Sequence, residues 1–271
     1  MLSAMNVEQD RLHLATIHIH PVKSLGGFSV AEARLTDRGL EHDRRWMLVD
    51  AQGRFLSQRE LPQLACLHTA PLVDGFRVTD RRDGRTIELP WALQQGVVQR
   101  TQVWSDPVDA IAAPHEVNAW FRQRLGQPCQ LVYMPDAALR PTDTQYADAL
   151  TALSDGFPYL IISQASLDDL NARLDTPIPM DRFRPNLVIA GGESYQEDKW
   201  RTIRIGTCTF QLVKPCSRCV ITTTDQRTGA RGKEPLRTLA TYRKHGHDVN
   251  FGMNAVVVAG DVVRVGDLVH P

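Results

Sequence analysis

LATIHIHPVKSLGG, residues 14–27, decides how the chain is read. Its first half alternates, with Ile17 and Ile19 on one face and His18 and His20 on the other, which is the period of a strand. Lys23 and Ser24 follow just past the strand end, with a glycine pair behind them. That arrangement presents an ammonium, a hydroxyl and backbone N–H groups to a phosphate. The Gly-x-x-x-x-Gly-Lys-Ser/Thr spacing is absent, so the segment is not a nucleotide P-loop.

Outward from this stretch, short strands alternate with turn residues. RRWMLVDAQGRFLSQ reads as a hairpin turning at Asp50–Gly53, and GFRVTDRRDGRTIELP as another turning at Asp83–Gly84. TQVWSDPVDAIA, CQLVYMP, RPNLVIAG and TIRIGTCTFQLVKP all have strand character. The tail NAVVVAGDVVRVGDLVHP reads as two strands around Gly260–Asp261. Val117, Trp120, Phe121 and Leu125 mark a helix within Pro114–Pro128 that stops at Gly126. FPYLIISQASLDDLNARL reads as a buried strand followed by a helix capped by Ser163 or Ser166, and EPLRTLATYRKHG as a helix running from Glu-Pro to Gly246. So many short strands predict a β-rich α+β fold, a barrel or sandwich in preference to a wound parallel sheet. The polar connection Asp136–Asp148 is the candidate boundary between halves.

A chain of 271 residues suffices for two modest domains, and 42% apolar against 23% charged residues is usual for a chain with a core. Lysine plus arginine and aspartate plus glutamate stand at 31 each, a net charge of zero. Global charge therefore gives no reason to expect nucleic acid or an anionic membrane as partner. MLSAMNVEQDRLH lacks an apolar run and is not read as a signal peptide. No window reaches the roughly 18 apolar residues of a bilayer span. The cysteines, Cys66, Cys129, Cys208, Cys216 and Cys219, are too few and irregular for a disulfide framework, so a reduced, cytoplasmic setting is expected.

In KPCSRCVITTTDQRTG, residues 214–229, the pair Cys216 and Cys219 admits several readings. A closed zinc site needs a second ligand pair, and His245 and His247 are spaced too closely to supply the usual one. A thioredoxin-like dithiol needs a helix start, for which VITTT is poor sequence. Two ordinary buried thiols are the third reading. In the fourth, one thiolate is the lone protein ligand of a soft metal carried by a cofactor, with Arg218 favouring the thiolate and drawing an anion. Arg44 and Arg45 head a strand, where neighbours face opposite ways, so one points inward and needs an anion. Arg184 and Asn186 stand at another strand mouth. With Lys23 and Ser24 they outline a polyanion pocket.

IHIHPVKSLGG, GLEHDRRWMLVD, FRPNLVIAGG and CSRCVITTTDQRTG with KEPLRTLATYR closely resemble, in that order, the MOSC superfamily. More narrowly they resemble its branch with an N-terminal β-barrel region, which includes the mitochondrial amidoxime-reducing component and bacterial reductases of N-hydroxylated compounds. The resemblance runs from about Leu14 to Val269. It implies a β-barrel MOSC domain at 129–270 behind an N-terminal β-barrel-like domain at 11–128. It implies a molybdenum cofactor (Mo-molybdopterin), with Cys219 as catalytic metal ligand and Cys216 not a ligand. Lys23, Ser24 and Arg44 (in preference to Arg45) are implied at the pterin and its phosphate. Asp155, Gly156, Arg184, Asn186, Ser217, Arg218 and Asn254 are implied around the same cofactor. The implied activity is a molybdopterin-dependent oxidoreductase reducing amidoximes, hydroxylamines or N-hydroxylated bases; Asp155, by its place in the pocket turn, and a solvent water are the candidate proton donors. A non-catalytic cofactor carrier or sulfur-transfer protein is the competing reading. No cysteine cluster of an appended iron–sulfur domain and no membrane-targeting segment is seen. The expected electron donor is thus a separate protein of flavin-reductase, ferredoxin or cytochrome type, and no membrane or nucleic-acid partner is expected.

Overall fold

The computed structural model describes residues 11–271, so the reading of MLSAMNVEQD as free of a leader falls outside the described residues. The fold is β-rich α+β. Its largest sheet has nine strands, and its main path opens with Val269–His270, Thr202–Ile205, Cys208–Ser217 and Asp248–Ala259. Tyr159–Ser163, Leu187–Ala190, His13–Ile19 and Phe28–Val30 complete it. Neighbours run antiparallel except Tyr159–Ser163 beside Leu187–Ala190. His13–Ile19, next to last in this order, curls back on the first strand: Leu14 N–H donates to Asp267 O at 2.8 Å and Val269 N–H to Leu12 O at 2.8 Å. The sheet is thereby bent into a half-barrel. Its interior holds one core to which strands from both ends contribute, including Ile17, Ile19, Ile189, Ile203, Phe210, Ala255 and Val269.

A second layer is built from Trp46–Val49, Gln130–Tyr133, Asp106–Ala112 and Val98–Val103, with the meander Leu67–Leu72, Gly75–Asp80, Thr86–Pro90 beside it. Trp46, Phe76, Phe121 and Leu131 are buried between them. The layers share chain segments across the division drawn from sequence. His13–Ile19 pairs with Leu187–Ala190, while Gln130–Tyr133 pairs back to Trp46–Val49. Helix α1, His115–Leu125, presents Val117, Phe121 and Leu125 to this core at four-residue spacing. It ends where Gly126 takes a left-handed φ of 68° that suits glycine. Helix α2 spans Gln164–Ala172 with Ser163 at its N-cap, although the Ser163 side chain makes no capping bond.

Two local expectations change. Helix α3, Leu236–Tyr242, stops short of Gly246, because Lys244–His245 turns back to pair with Asp248–Val249 across that glycine. The Asp50–Gly53 turn forms, but its second arm is not a regular strand: it bonds back through Asp50 N–H to Arg54 O at 2.9 Å and Leu56 N–H to Leu48 O at 2.7 Å, with a bridge from Phe55 to Val49, and its Arg54 also bridges to Gln102. Among the described residues no helix is long and apolar enough to cross a membrane.

Candidate functional site

The strand ends of both layers open onto one hollow of about 160 Å³. Lys23, Ser24, Arg44, Asp155, Gly156, Arg184, Asn186, Ser217, Arg218, Cys219 and Asn254 all line it. The structure therefore brings together every site residue marked in the sequence. Phe157, Leu160, Phe183 and Ile221 supply an apolar wall.

Lys23 and Ser24 are placed by the segment leaving the first strand, where Lys23 N–H donates to Trp46 O at 2.7 Å. Ser24 is bent into the left-handed region (φ 70°), and Gln58 Nε2 holds its carbonyl at 2.7 Å. Gln58 also exchanges amide hydrogen bonds of 3.0 Å with Gln226, which ties this turn to the loop after the cysteines. Of the two following glycines, Gly26 does not offer its N–H to a phosphate. Gly26 N–H is taken by Leu67 O, and a Cβ on Gly26 would lie 2.5 Å from the His68 ring. Packing of His68 and His20 against the backbone explains that pair.

A left-handed turn, not the strand period expected from sequence, separates the two arginines: Arg44 takes a φ of 48° just ahead of the strand Trp46–Val49. Arg44 turns inward, its Nη1 2.5 Å from buried Asp43 Oδ2 and its Nη2 donating to Arg184 O at 2.9 Å. Arg45 turns away to Asp136 at 2.8 Å. Arg184 donates from Nη1 to Leu25 O, and burial, with Arg44 adding repulsion, pushes its guanidinium down to about 9. Ser24, Arg44 and Arg184 all have positive φ (70°, 48° and 55°). Such conformations in non-glycine residues cost energy and concentrate at functional sites. Behind them His20 is buried. Burial and then the Arg184 and Arg44 charges hold its pKa well below the ordinary imidazole value, so it stays neutral there.

Asn186 lines the hollow and also knits three strands, accepting from Leu160 N–H at 3.2 Å and donating to His18 O at 3.3 Å. Ser217 Oγ donates to Asp248 Oδ1 at 2.7 Å, and Asn254 sits opposite Leu160 and Lys214 in the sheet. Cys219 is half-buried at the start of a short 3-10 turn, Val220–Thr223. Arg218 serves the other sulfur: its Nη1 donates to Cys216 Sγ at 2.8 Å and its Nη2 to Phe183 O at 2.6 Å. Arg218 follows directly on the strand Cys208–Ser217, whose pairing register shifts between Pro215 and Ser217. Among the described residues no group of three or more His, Cys, Asp and Glu side chains converges as a metal site, so the pair gains no second pair of ligands for closed zinc coordination.

Asp155 is held as a carboxylate by its neighbours. Burial alone would raise its pKa, but the Lys23 ammonium at 2.5 Å and the Arg59 guanidinium at 3.2 Å hold it well below the usual carboxylate range. Arg140, unmarked in the sequence, fixes this loop by donating to Ala152 O, Ser154 O and Asp155 O at 3.0, 2.6 and 2.9 Å. Lys23 is pushed down to about 8 by burial, even with Asp155 opposing. Its charge is therefore present below about pH 8 and lost above. Protection of the cofactor-free protein by sulfate, whose charge is constant in this range, is expected to weaken as pH rises from about 7 to about 9. Thermal unfolding with and without sulfate checks this, and Lys23→Met should flatten the dependence.

The lining fits an anionic, sulfur-ligated cofactor. Lys23, Arg44, Arg59, Arg184 and Arg218 face a single lining carboxylate, Asp155. Among the described residues, Arg218 Nε and Arg59 Nη1 are buried without a hydrogen-bond partner. Buried cations of this density call for an anion.

Residues 148–270 match the MOSC domain and residues 11–128 the MOSC N-terminal beta barrel domain. The chain belongs to the MOSC-domain family. Among relatives of this MOSC protein, the molybdenum cofactor sulfurase of Oryza sativa subsp. japonica is 33% identical over 298 residues. That alignment covers 96% of this chain but only 35% of the sulfurase. Mitochondrial amidoxime-reducing component 1 of Homo sapiens is 33% identical over 279 residues, covering 95% of this chain and 82% of the relative. Mitochondrial amidoxime reducing component 2 of Rattus norvegicus is 32% identical with the same coverage of 95% and 82%.

Proposed function

We propose that this MOSC protein binds the molybdenum cofactor and reduces N-hydroxylated compounds with electrons delivered by a separate redox protein. The observation that carries the reading is the convergence of Cys219 with Lys23, Arg44, Arg184 and Arg218 on one hollow. Its closeness to the amidoxime-reducing components over most of their length supports the choice of reaction. When bound, the cofactor supplies the two-electron chemistry, and the protein supplies orientation and electrostatics.

The residues divide that work. Cys219 offers the soft sulfur for the metal, and the 3-10 turn behind it fixes its backbone through Thr222 N–H and Oγ1, both bonded to Cys219 O at 3.1 and 3.0 Å. Lys23, Ser24, Arg44 and Arg184 hold the pterin and its phosphate by charge and hydrogen bonds. Phe157, Leu160 and Phe183 exclude water from the sulfur side. The proton that completes reduction comes from solvent.

Arg184→Ala is expected to lower molybdopterin content at least about tenfold, because it removes a buried cation that faces the anion. Pterin analysis checks this, and unchanged occupancy would place the arginine outside the binding set. Turnover of benzamidoxime with a reduced artificial dye separates the reductase from a non-catalytic cofactor carrier. Cofactor-loaded protein without turnover would favour the carrier.

A further inference from the structure

Arg59 carries no signal in the sequence, yet it lines the hollow. It lies in the turn after Phe55, and its guanidinium stacks 4.5 Å from the Trp104 ring centre. Trp104 occupies the tip of the hairpin between Val98–Val103 and Asp106–Ala112, is 46% exposed and has a φ of 56°. A bulky residue rarely takes that conformation without a compensating contact. Here the indole is held against Phe55 (ring centres 5.0 Å apart) and over Arg59. From the opposite side, Arg231 in the loop beyond the cysteines donates to Arg59 O at 3.1 Å. Arg59 is thus fixed from both layers.

Its charge meets Asp155. Arg59 Nη2 reaches Asp155 Oδ2 at 3.2 Å while Lys23 Nζ reaches Oδ1 at 2.5 Å, so two cations from distant segments grip the two oxygens of one carboxylate. This is the geometry of an oxyanion seat. The carboxylate is a removable occupant. The Asp155 side chain is 56% exposed, and the loop backbone is anchored separately, by Arg140 and by Lys23 Nζ on Leu153 O at 2.9 Å. Rotating the carboxylate into water leaves the loop in place.

We propose that Lys23 and Arg59 form a seat for a phosphate-type oxyanion, and that the Asp155 carboxylate is its resident counter-ion, displaced when the anion binds. In the function proposed above, on which this rests for its natural occupant, that anion is the terminal phosphate of molybdopterin. Free inorganic phosphate shares the chemistry. Displacement exchanges one ion pair for another, so Asp155 lowers anion affinity and keeps the cations paired until the ligand arrives.

Calorimetric titration of cofactor-free protein with inorganic phosphate, at fixed ionic strength and about pH 7, tests this. Asp155→Asn is expected to bind phosphate about tenfold more tightly than wild type, since a like charge leaves the seat. Adding Arg59→Ala to that variant is expected to abolish the gain, and Arg59→Lys to retain part of it. Should the alanine variant fail to fold, Trp104→Leu in the Asp155→Asn background, which frees the guanidinium, is expected to remove about two-thirds of the gain. Phosphate affinity in Asp155→Asn no higher than wild type, or indifferent to Arg59, overturns the seat. Pterin analysis of wild type from cofactor-producing cells separates the sources. If no pterin is found while the phosphate pattern holds, the seat stands for a free anion and the cofactor reading fails. If pterin is found without the pattern, only the seat fails.

Discussion

Alanine at Cys219 is expected to abolish amidoxime reduction, with turnover falling at least about a hundredfold, and to strip molybdenum from the protein. Loss of residues that merely orient metal ligands already costs about 10–100-fold, and loss of the ligand itself exceeds that. Cys216→Ala provides the contrast. Cys216 accepts from Arg218 Nη1 at 2.8 Å, and Arg218 keeps its bond to Phe183 O when that sulfur is removed. Turnover of this variant is expected within about tenfold of wild type. Assays of both variants with the same artificial donor check the pair, and full activity in Cys219→Ala would refute the ligand assignment.

The largest stability effect is expected at Arg44. Its partner Asp43 has a side chain 2% exposed and also accepts from His20 N–H at 2.7 Å. Arg44→Ala leaves a buried carboxylate without its ion pair, a change that costs about 3–5 kcal/mol in similar settings. Two effects pull the other way. Repulsion between Arg44 and Arg184 is relieved, and Asp43 retains attraction to Arg184. The φ of 48° is already carried by Arg44 and cancels in the comparison with alanine. A net loss of about 2–4 kcal/mol in urea unfolding of the cofactor-free protein is expected. Asp43→Asn in the same background should recover much of it. A loss under about 1 kcal/mol would show that Asp43 is satisfied without Arg44.

What the sequence displayed and what it concealed follow from range. Alternation in IHIH, turn residues at Asp83–Gly84 and the Val117, Phe121, Leu125 spacing are local, and each produced the element it predicts. That one of Arg44 and Arg45 points inward agrees with the sequence, but the cause is the left-handed turn at Arg44 ahead of Trp46–Val49 and not a two-residue period. The hidden features depend on which distant segments become neighbours. Arg59 lies in an irregular turn without periodicity and reaches the hollow only because Asp155 and Trp104 arrive from elsewhere in the chain. Arg140 lies in the polar connection and reads as surface, yet its side chain is nearly fully buried among loop carbonyls. The glycines at 26 and 27 suggested a phosphate cradle because sequence cannot show the histidine rings packed on them. The Arg218–Cys216 bond likewise depends on a strand bend around the cysteine pair that no spacing rule encodes.

Molybdenum and pterin content of wild-type protein, purified from cells that make the cofactor, is the most direct test of Cys219 and its surrounding cations as one binding site. Near-equimolar molybdenum and pterin per chain is the predicted result, with both much reduced in Arg184→Ala. Protein that carries neither, or that carries zinc at one ion per chain on the cysteine pair, would contradict it.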